Sequence, residues 1–428
     1  MLLRNLFLAG FLTAISGLSV GLAHAAEKAV PWPENAFAPL TEERIAALPK
    51  DEQPAWRQYW QTSRDVAARV KPATEPEFSP TAPLKVPLKG ASHAKGLKEN
   101  ASPEWYATDE ARQLADRVVE YQAATGGWTK SNDYSVAPVP KSKIDYWSYG
   151  TLDNNATVLE LRFLANVEAQ APNDGRAEAW RASFLRGLEY LFNAQYPNGG
   201  FPQIYPLAGG YHDAITYNDG AMIRALELLS DVAVGKALYA FVPEKQRAEA
   251  AERVERGIQC ILKSQIVEPS GRPTVWCQQH DMLTLKPCAA RNFEPISATT
   301  AESVGIVRFL MRQPDAQAKY SEVIADAVKW FQAVALHDRA WDRRSNPTKL
   351  IHAPGAPLLW ARLYEIGTDK PIFGDRDRTV HYEVSEISIE RQKGYSWYSE
   401  YAQTILTEYP KWLGKQSASP RADKHHSK

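Results

Sequence analysis

The sequence predicts a mainly α-helical protein in which helical hairpins pack into a toroid or bundle. From about Pro103 onward, apolar residues recur at helical spacing, and loops rich in Gly, Pro, Asn and Asp interrupt them. A weak internal repeat of roughly 65 to 75 residues runs through the same region. Strand signals are few and short. Because repeated hairpins stack side by side, we expect their equivalent loops on one face of the fold.

The first 25 residues are typical of a signal peptide. Arg4 gives a basic start, an apolar stretch runs from Leu6 to Leu22, and the small-x-small sequence Ala23-His24-Ala25 follows. A membrane-spanning helix is the alternative, but the stretch is short, contains glycine and is followed at once by small residues. We therefore predict cleavage after about Ala25 and an exported protein, periplasmic or secreted, with no membrane span in its mature form.

A proline-rich extension is predicted over residues 26–95, with one helix from about Thr41 to Val70. Its prolines are Pro31, Pro33, Pro39, Pro49, Pro54, Pro72, Pro76, Pro80, Pro83 and Pro87. The main domain is predicted over residues 96–415. Residues 416–428 form a polar tail that we expect to be disordered.

Three turns mark the internal repeat, and each follows a predicted amphipathic helix. The turns are Ala124–Trp128, Gln195–Gln203 and Ser270–Gln278, after helices at Ala111–Gln122, Trp180–Ala194 and Ala251–Ser264. Each turn also precedes a second helical segment with a related opening. These segments are Asp153–Leu164, Asn218–Leu229 and Thr300–Leu310.

The shared register predicts that loop groups from three hairpins approach one mouth. These groups are Asp153 with Asn154, Asn218 with Asp219, and Arg291 with Asn292. Two carboxylates with adjacent amides offer the hard oxygen ligands that suit Ca²⁺. The alternative is that Asp153 and Asp219 are helix N-caps, a position where Asp and Asn are preferred.

Charge and motif content exclude several functional classes. Lys and Arg number 50, as do Asp and Glu, so no overall positive field favours nucleic acid, and an acidic substrate would need local cations in a cleft. The nine histidines show no metal-ligand spacing, and no Cys-x-x-Cys pair occurs. The Walker, dinucleotide and Gly-x-Ser-x-Gly motifs are absent from the sequence.

The three cysteines, Cys260, Cys277 and Cys288, cannot form a disulfide framework. Cys277 and Cys288 bracket a short polar segment and could pair. Three buried free thiols are the equal alternative.

Several arginines lie among helix-breaking residues. Arg291 and Arg376 are on predicted loops, and Arg362 is on a predicted helix fourteen residues before Arg376. Guanidinium groups on loops are suited to bidentate recognition of carboxylates or phosphates. For each arginine alone, a salt bridge to a nearby Asp or Glu is the competing interpretation.

Seven further motifs occur in order along the chain. They are Gly-Gly-Trp-x-Lys at 126–130, Asp-Asn-x-Ala-Thr at 153–157, Tyr196–Gln203, Tyr211–Asp219, Val275–Asp281, Ala290–Asn292 and Gly394–Tyr398. Together they resemble the family 10 polysaccharide lyases, which are pectate lyases. The resemblance extends from about Gln122 to Trp412. It implies a mainly α fold, an (α/α) toroid or barrel of helical hairpins with long irregular loops and few short strands. It also implies Ca²⁺-dependent β-elimination of polygalacturonate (pectate) to 4,5-unsaturated oligogalacturonides.

The resemblance also implies roles for individual residues. Arg291 corresponds to the proposed catalytic base, and Asp153, also counted as catalytic, lies with Asn154 and Asp219 around calcium. The implied substrate-binding residues are Lys130, Tyr217, Asn218, Arg362 and Arg376. The sequence departs from the family pattern at Asn155, Phe201 and Ala298–Thr300, where glycine, tryptophan and serines are common. These departures put subsite contacts in doubt but leave the reaction class intact.

Three other interpretations compete with a monomeric lyase acting on polygalacturonate or oligogalacturonides. An (α/α)-toroid glycoside hydrolase acting on an acidic polysaccharide would need two carboxylic acids that straddle the scissile bond. A terpene cyclase shares Gly-Gly-Trp turns between helices, but the signal peptide and the absence of an Asp-rich motif argue against it. A non-catalytic pectin-binding protein would not need to retain Arg291, Asp219 and Arg376 in their motifs.

Overall fold

The computed structural model describes residues 30–31, 37–70, 94–138 and 148–414. The predicted signal peptide and the predicted polar tail lie outside these ranges. Within them, no helix combines the length and the apolar character that a membrane crossing requires.

The described part of the chain is mainly helical. Its α-helices are α1 (Glu42–Ala46), α2 (Gln53–Arg69), α3 (Pro103–Tyr106), α4 (Asp109–Glu120), α5 (Val158–Gln170), α6 (Ala177–Ala194), α7 (Ala221–Ala233), α8 (Glu244–Ser264), α9 (Ala301–Met311), α10 (Ala316–Ala333), α11 (Ile389–Gly394) and α12 (Gln403–Gly414).

The strands of the described residues are short and form separate sheets of two or three strands, none of which closes into a barrel. They are β1 (Val30–Pro31), β2 (Ala94–Lys95), β3 (Asn132–Asp133), β4 (Gly150–Thr151), β5 (Ile204–Tyr205), β6 (Ile215–Thr216), β7 (Gln279–His280), β8 (Pro287–Cys288), β9 (Ala298–Thr299), β10 (Arg339–Asp342), β11 (Lys349–His352), β12 (Trp360–Ala361), β13 (Leu363–Tyr364), β14 (Phe373–Gly374), β15 (Thr379–His381) and β16 (Tyr398–Ser399). Except for the parallel β2–β3 pair, the paired strands are antiparallel.

Three helical hairpins, α5–α6, α7–α8 and α9–α10, form the centre of the protein. Helix α7 packs against α5 on one side and against α9 on the other, and α4 packs against α5 and α6. The inner helices are apolar: α5 buries residues on most of its surface, whereas the outer helix α8 buries one face. The predicted (α/α) toroid is confirmed.

Three glutamines at the ends of successive outer helices make equivalent contacts, as the repeat predicts. Gln122, Gln195 and Gln265 follow α4, α6 and α8. The side-chain amide of each donates to a carbonyl of the adjoining turn, namely that of Gly126, Gly199 or Thr274. Each amide also donates to a backbone carbonyl of the next outer helix, namely that of Ser183, Arg253 or Val323. Equivalent hydrogen bonds in successive hairpins therefore confirm the repeat, although its sequence signal is weak.

The turn glycines allow neighbouring outer helices to approach closely. Gly199 has φ +92°, and a Cβ atom there would lie 2.0 Å from the carbonyl oxygen of Arg256 in α8. Gly126 has φ +95°, and a Cβ atom there would lie 2.6 Å from the carbonyl oxygen of Arg186 in α6. A side chain at either position would meet backbone that cannot move aside cheaply.

We expect Gly199→Ala to destabilise the protein by about 3 kcal/mol, because it adds steric conflict to an unfavourable backbone conformation. Gly175→Ala is the matched control, since nothing lies within 4 Å of a Cβ atom at that position. Denaturant unfolding of both variants checks the prediction. Equal stability of the two variants would show that the turn accommodates a side chain.

The predicted single helix of the extension is two helices, α1 and α2. Pro49 lies between them, and proline disfavours helical backbone in the residue that precedes it. We call residues 37–70 the N-terminal collar. The collar packs on the main body: Trp56 contacts Tyr196 with ring centroids 5.3 Å apart, and the Tyr59 hydroxyl donates to the carbonyl of Ala194 over 3.1 Å.

All three cysteines are buried free thiols. The Cys277 thiol lies 3.6 Å from the carbonyl oxygen of Cys288 rather than bonding to its sulfur. Burial raises the pKa of Cys260 to about 12. The alternative of three free thiols therefore describes the structure.

Candidate active site

Two 3₁₀ turns lie side by side at the start of the inner helices α5 and α7. The first turn is Asp153–Asn155 and the second is Asn218–Gly220. The middle residue of each has a left-handed backbone, with φ 51° at Asn154 and φ 52° at Asp219. Asn and Asp adopt this conformation more readily than other non-glycine residues.

The two aspartates are not helix caps. The N-cap position of α5 is Thr157 and that of α7 is Gly220, and neither helix has a side-chain cap hydrogen bond. The N-cap interpretation of Asp153 and Asp219 is therefore wrong. Their carboxylates are available for another task at the mouth of the toroid.

Asp153 is largely buried and forms an ion pair with Lys130, which follows the first repeat turn. The neighbouring Asn154 is exposed. The structure thus brings three of the predicted site residues together at one end of α5. The ion pair with Lys130 positions the Asp153 carboxylate, whose side chain is only 9% exposed.

Asp219 lies beside Asp153 and is open to solvent on one side, with 37% of its side chain exposed. Its surroundings raise its pKa above the usual value, first through desolvation and then through the negative charges of Glu302 and Asp153. The guanidinium of Arg362, 3.6 Å away, acts in the opposite direction but does not cancel these effects. This acidic pair is consequently a favourable place for an added cation.

Arg362 lies between strands β12 and β13, so its predicted placement on a helix is wrong. Strand β12 pairs with β16 and strand β13 pairs with β9, and these distant partners fix the extended backbone. The Arg362 guanidinium is mostly buried, forms an ion pair with Glu302 and donates to Asn218 Oδ1 over 3.1 Å. Arg362 therefore holds the acidic turn Asn218–Gly220 in place.

Arg291 follows strand β8 and is held by Glu294, a buried carboxylate. Nε of Arg291 donates to Oε2 over 2.8 Å and Nη2 donates to Oε1 over 2.5 Å. This bidentate pair leaves Nη1 as the nitrogen that is not bound to Glu294. Burial acts to lower the pKa of Arg291, but the bond to Glu294 outweighs it and raises the pKa overall.

Tyr395 connects the loop that carries Arg291 and Glu294, which we call the guanidinium loop, with the acidic turns, which are the two 3₁₀ turns Asp153–Asn155 and Asn218–Gly220. Its hydroxyl donates to Glu294 Oε1 over 3.1 Å and accepts from the side-chain amide of Gln278 over 2.9 Å. Gln278 also donates to Asn218 Oδ1 over 3.1 Å. Arg291 is close enough for its charge to act on Asp219, after the larger effects of burial and nearer charges. The groups from three hairpins therefore converge, as the repeat predicts.

Arg376 lies on the exposed loop between β14 and β15 and extends the cationic side of the cleft. Its Nε donates to Glu390 Oε2 over 2.9 Å. The guanidinium carbons of Arg291 and Arg376 lie 4.8 and 5.3 Å from the ring centre of Phe293. Phe293 thus fixes the spacing of two arginines along one wall.

Comparison with known proteins identifies the family of the chain. The model of the family described as pectic acid lyase matches residues 122–406. The chain belongs to the pectic acid lyase family.

Two of the similar solved structures come from Cellvibrio cellulosa. A family 10 polysaccharide lyase from this organism is 32% identical, with a TM-score of 0.65, and the match covers 73% of the present chain and 95% of the Cellvibrio chain. An aspartate-to-alanine mutant of the family 10 lyase, in complex with trigalaturonic acid, is 33% identical, with a TM-score of 0.64, and covers 72% and 96%. No curated protein matches the chain. The protein is therefore a polysaccharide lyase of family 10, as its motifs indicate.

The structure places Tyr217 of this lyase away from the cleft. Its side chain is fully buried, its hydroxyl lies 2.8 Å from the Ser264 hydroxyl, and its ring packs edge-on against His280. The sequence alone does not distinguish an aromatic residue that contacts the substrate from one that packs in the protein interior beneath the site. Direct contact with a substrate is not compatible with this burial, so we leave Tyr217 out of the site.

Sequence reasoning missed the lyase residues that hold the cationic groups and the acidic turn at Asn218 in place. They are Gln278, Glu294, Glu302 and Tyr395. Glu302 lies in the first turn of α9, the third-repeat equivalent of α5 and α7, so the repeat register could have identified it. Glu294 lies three residues after Arg291 on an irregular loop, where no periodic pattern indicates which side chains meet.

His212 is a further residue that the motifs contain but that we did not assign. Its ring stacks on that of Tyr211 with centroids 4.0 Å apart. Burial lowers its pKa, and Asp153, Lys130 and Arg291 are near enough to act on it as well. It therefore lies between the acidic turn and the guanidinium loop, mostly in its neutral form at neutral pH.

Proposed function

We propose that this lyase cleaves polygalacturonate by Ca²⁺-dependent β-elimination and releases 4,5-unsaturated oligogalacturonides. The observation that carries the proposal is the convergence of Asp153 and Asp219, from successive hairpins, with Arg291 from the loop before the third. The trigalaturonic acid complex of the similar Cellvibrio lyase supports an oligogalacturonide as the substrate. The predicted signal peptide supports export of the mature protein.

The chemistry explains why both signs of charge are needed. The proton on C5 of a galacturonate unit is α to a carboxylate, and its removal adds negative charge to a group that is already anionic. The cleft must therefore neutralise the carboxylate before a base can remove the proton. Arg376, Arg362 and Lys130 supply positive charge at this site, and preorganised charge is most effective where water is largely excluded.

Asp153, Asn154 and Asp219 are the residues that would hold Ca²⁺. The ion would neutralise the uronate carboxylate and stabilise the enolate-like charge that develops on it. The raised pKa of Asp219, caused first by burial and then by Glu302 and Asp153, fits a site that gains from an added cation. Within the described ranges no three His, Cys, Asp or Glu side chains form a metal cluster, so amides, water and the substrate would have to complete the oxygen shell.

Arg291 would act as the base that removes the C5 proton. Glu294 holds Nε and Nη2, which directs the remaining nitrogen and fixes the plane of the guanidinium. The same bond stabilises the charged form, so only a small neutral fraction exists at neutral pH. Cations that enter with the substrate complex would act in the opposite direction. After proton removal, the C4–O4 bond breaks, the 4,5 double bond forms, and the departing oxygen takes up a proton from water.

We expect turnover to rise with pH up to at least about pH 9. Because the pKa of Arg291 is raised, its neutral fraction increases about tenfold with each pH unit throughout this range. The measurement is kcat on polygalacturonate at saturating Ca²⁺ from pH 6 to pH 10. A profile that is flat or falls above neutrality would assign proton removal to a group of lower pKa.

Ultraviolet absorbance of the product tests the proposed function. We expect the purified protein to produce the absorbance of a 4,5-unsaturated uronate from polygalacturonate, EDTA to abolish it, and added Ca²⁺ to restore it. New reducing ends without this absorbance, in the presence of EDTA, would instead indicate a hydrolase. Neither signal, from a folded protein with Ca²⁺ present, would indicate a pectin-binding protein.

A further inference from the structure

Arg291 also lines a cavity of about 450 Å³, and the N-terminal collar contributes Phe37 to its wall. Its lining combines guanidinium groups with aromatic rings. The guanidinium groups and rings of the lining are those of Phe37, Tyr211, Arg291, Phe293, Arg376 and Arg378. Phe37 belongs to the collar and therefore lies outside the residues matched by the family model.

Phe37 is held in the cavity wall by Arg44 of α1. The Arg44 guanidinium donates to the carbonyls of Ala38 and Pro39, the two residues after Phe37, over 2.5 and 2.9 Å. It also forms a 2.6 Å ion pair with Asp281 of the main body. Arg44 thus anchors the segment that carries Phe37 to the lyase domain.

A second contact joins the N-terminal region to the opposite wall. Strand β1 pairs with β15, with Pro31 opposite Thr379 and Val30 opposite Val380. Thr379 directly follows Arg378, so the N-terminal region supports the loop that carries Arg376 and Arg378. The collar, through Phe37, and this loop, through Arg376 and Arg378, therefore both contribute to the lining of the cavity.

Among the guanidinium groups that line this cavity, that of Arg378 has the fewest hydrogen-bond partners within the described residues. Its Nε donates to Asn292 Oδ1 over 3.2 Å, whereas its Nη1 is buried and has no hydrogen-bond partner in the described part of the chain. Its backbone is left-handed, with φ 64°. Arg291 and Arg376 each pair with a glutamate, but no ion pair involving Arg378 occurs in the described ranges. A buried, unpaired nitrogen on a strained loop is poised for an anionic ligand.

We propose that Phe37 and Arg378 form an additional uronate subsite, which we call the collar subsite, and that it extends the substrate cleft of this lyase. Arg378 binds the carboxylate of one galacturonate unit, while Phe37 packs against the apolar face of its sugar ring. The inference rests on the proposed function, since the ligand is part of the same polygalacturonate chain. It predicts a preference for oligomers longer than three units.

The test compares trigalacturonate with hexagalacturonate in the full mature protein. We expect Phe37→Ala and Arg378→Gln each to lower kcat/KM for the hexamer about tenfold, mostly through KM, while values for the trimer change less than about twofold. Arg44→Ala should reproduce the effect of Phe37→Ala, because it releases the same segment. Arg57→Ala is the collar control, since Arg57 is exposed and, among the described residues, pairs with Glu42 and Gln53 of the collar itself.

Unchanged hexamer kinetics in Phe37→Ala and Arg378→Gln would overturn the proposal, as would equal losses on both substrates. Calorimetric binding of both oligomers separates this result from failure of the proposed function. If the wild type releases no unsaturated product, the lyase proposal fails. In that case, calorimetric binding decides on the collar subsite. Loss of hexamer affinity with unchanged trimer affinity in the variants would support it, and any other result would overturn it. Thermal unfolding shows whether each variant is folded. If one of the three variants is not folded, the kinetics of the other two test the proposal.

Discussion

Arg291→Lys is expected to lower kcat by about 10³-fold while KM for polygalacturonate changes little. Lysine keeps the positive charge but cannot make the bidentate pair that Nε and Nη2 of Arg291 make with Glu294. The nitrogen that faces the substrate is therefore lost from its position. Steady-state kinetics at alkaline pH and saturating Ca²⁺ measure the effect.

Arg312→Lys provides the control for this substitution. Arg312 follows α9, is 64% exposed and lies 3.4 Å from Glu227, far from the guanidinium loop. We expect its kinetics to match those of the wild type. A kcat within threefold of wild type for Arg291→Lys, roughly 0.7 kcal/mol in barrier height, would assign the base to another residue.

Asp219→Asn is expected to raise the Ca²⁺ concentration for half-maximal activity about 100-fold. The substitution keeps the side-chain shape and removes one of the two carboxylate charges that face each other across the 3₁₀ turns. Activity should return in part at high Ca²⁺, whereas that of Arg291→Lys should not. Titration of Ca²⁺ at fixed polygalacturonate concentration separates the two behaviours.

Asp109→Asn is the matched control, because Asp109 is 82% exposed in the first turn of α4. It should leave the Ca²⁺ dependence unchanged. If Asp219→Asn also leaves it unchanged, the ion required for activity does not bind at the acidic turns.

The sequence predicted the convergence of Asp153, Asp219 and Arg291 because a repeated helical hairpin fixes both the spacing and the direction of its loops. The glutamines after α4, α6 and α8 show why a weak repeat was sufficient. Each bonds to backbone of the next repeat, so the hairpins keep one register even where most side chains differ.

The features that were not predicted depend on contacts between distant residues. The apolar run around Arg362 resembles a helix, yet pairing with residues near 298 and 398 makes it extended. The burial of Tyr217 and the bidentate pair between Glu294 and Arg291 depend on irregular loops. The sequences of such loops show no periodic pattern from which contacts could be predicted. Phe37 is placed in the cavity wall by the ion pair between Arg44 and Asp281, two residues that are 237 positions apart in the sequence.

A crystal structure of the Arg291→Lys variant with Ca²⁺ and trigalacturonate tests the central claim most directly. We predict one calcium ion bound by Asp153 and Asp219 and by a uronate carboxylate, with residue 291 on the side of that unit that carries the C5 hydrogen. A calcium ion bound at any other place, or an oligomer whose C5 faces away from residue 291, would contradict the account.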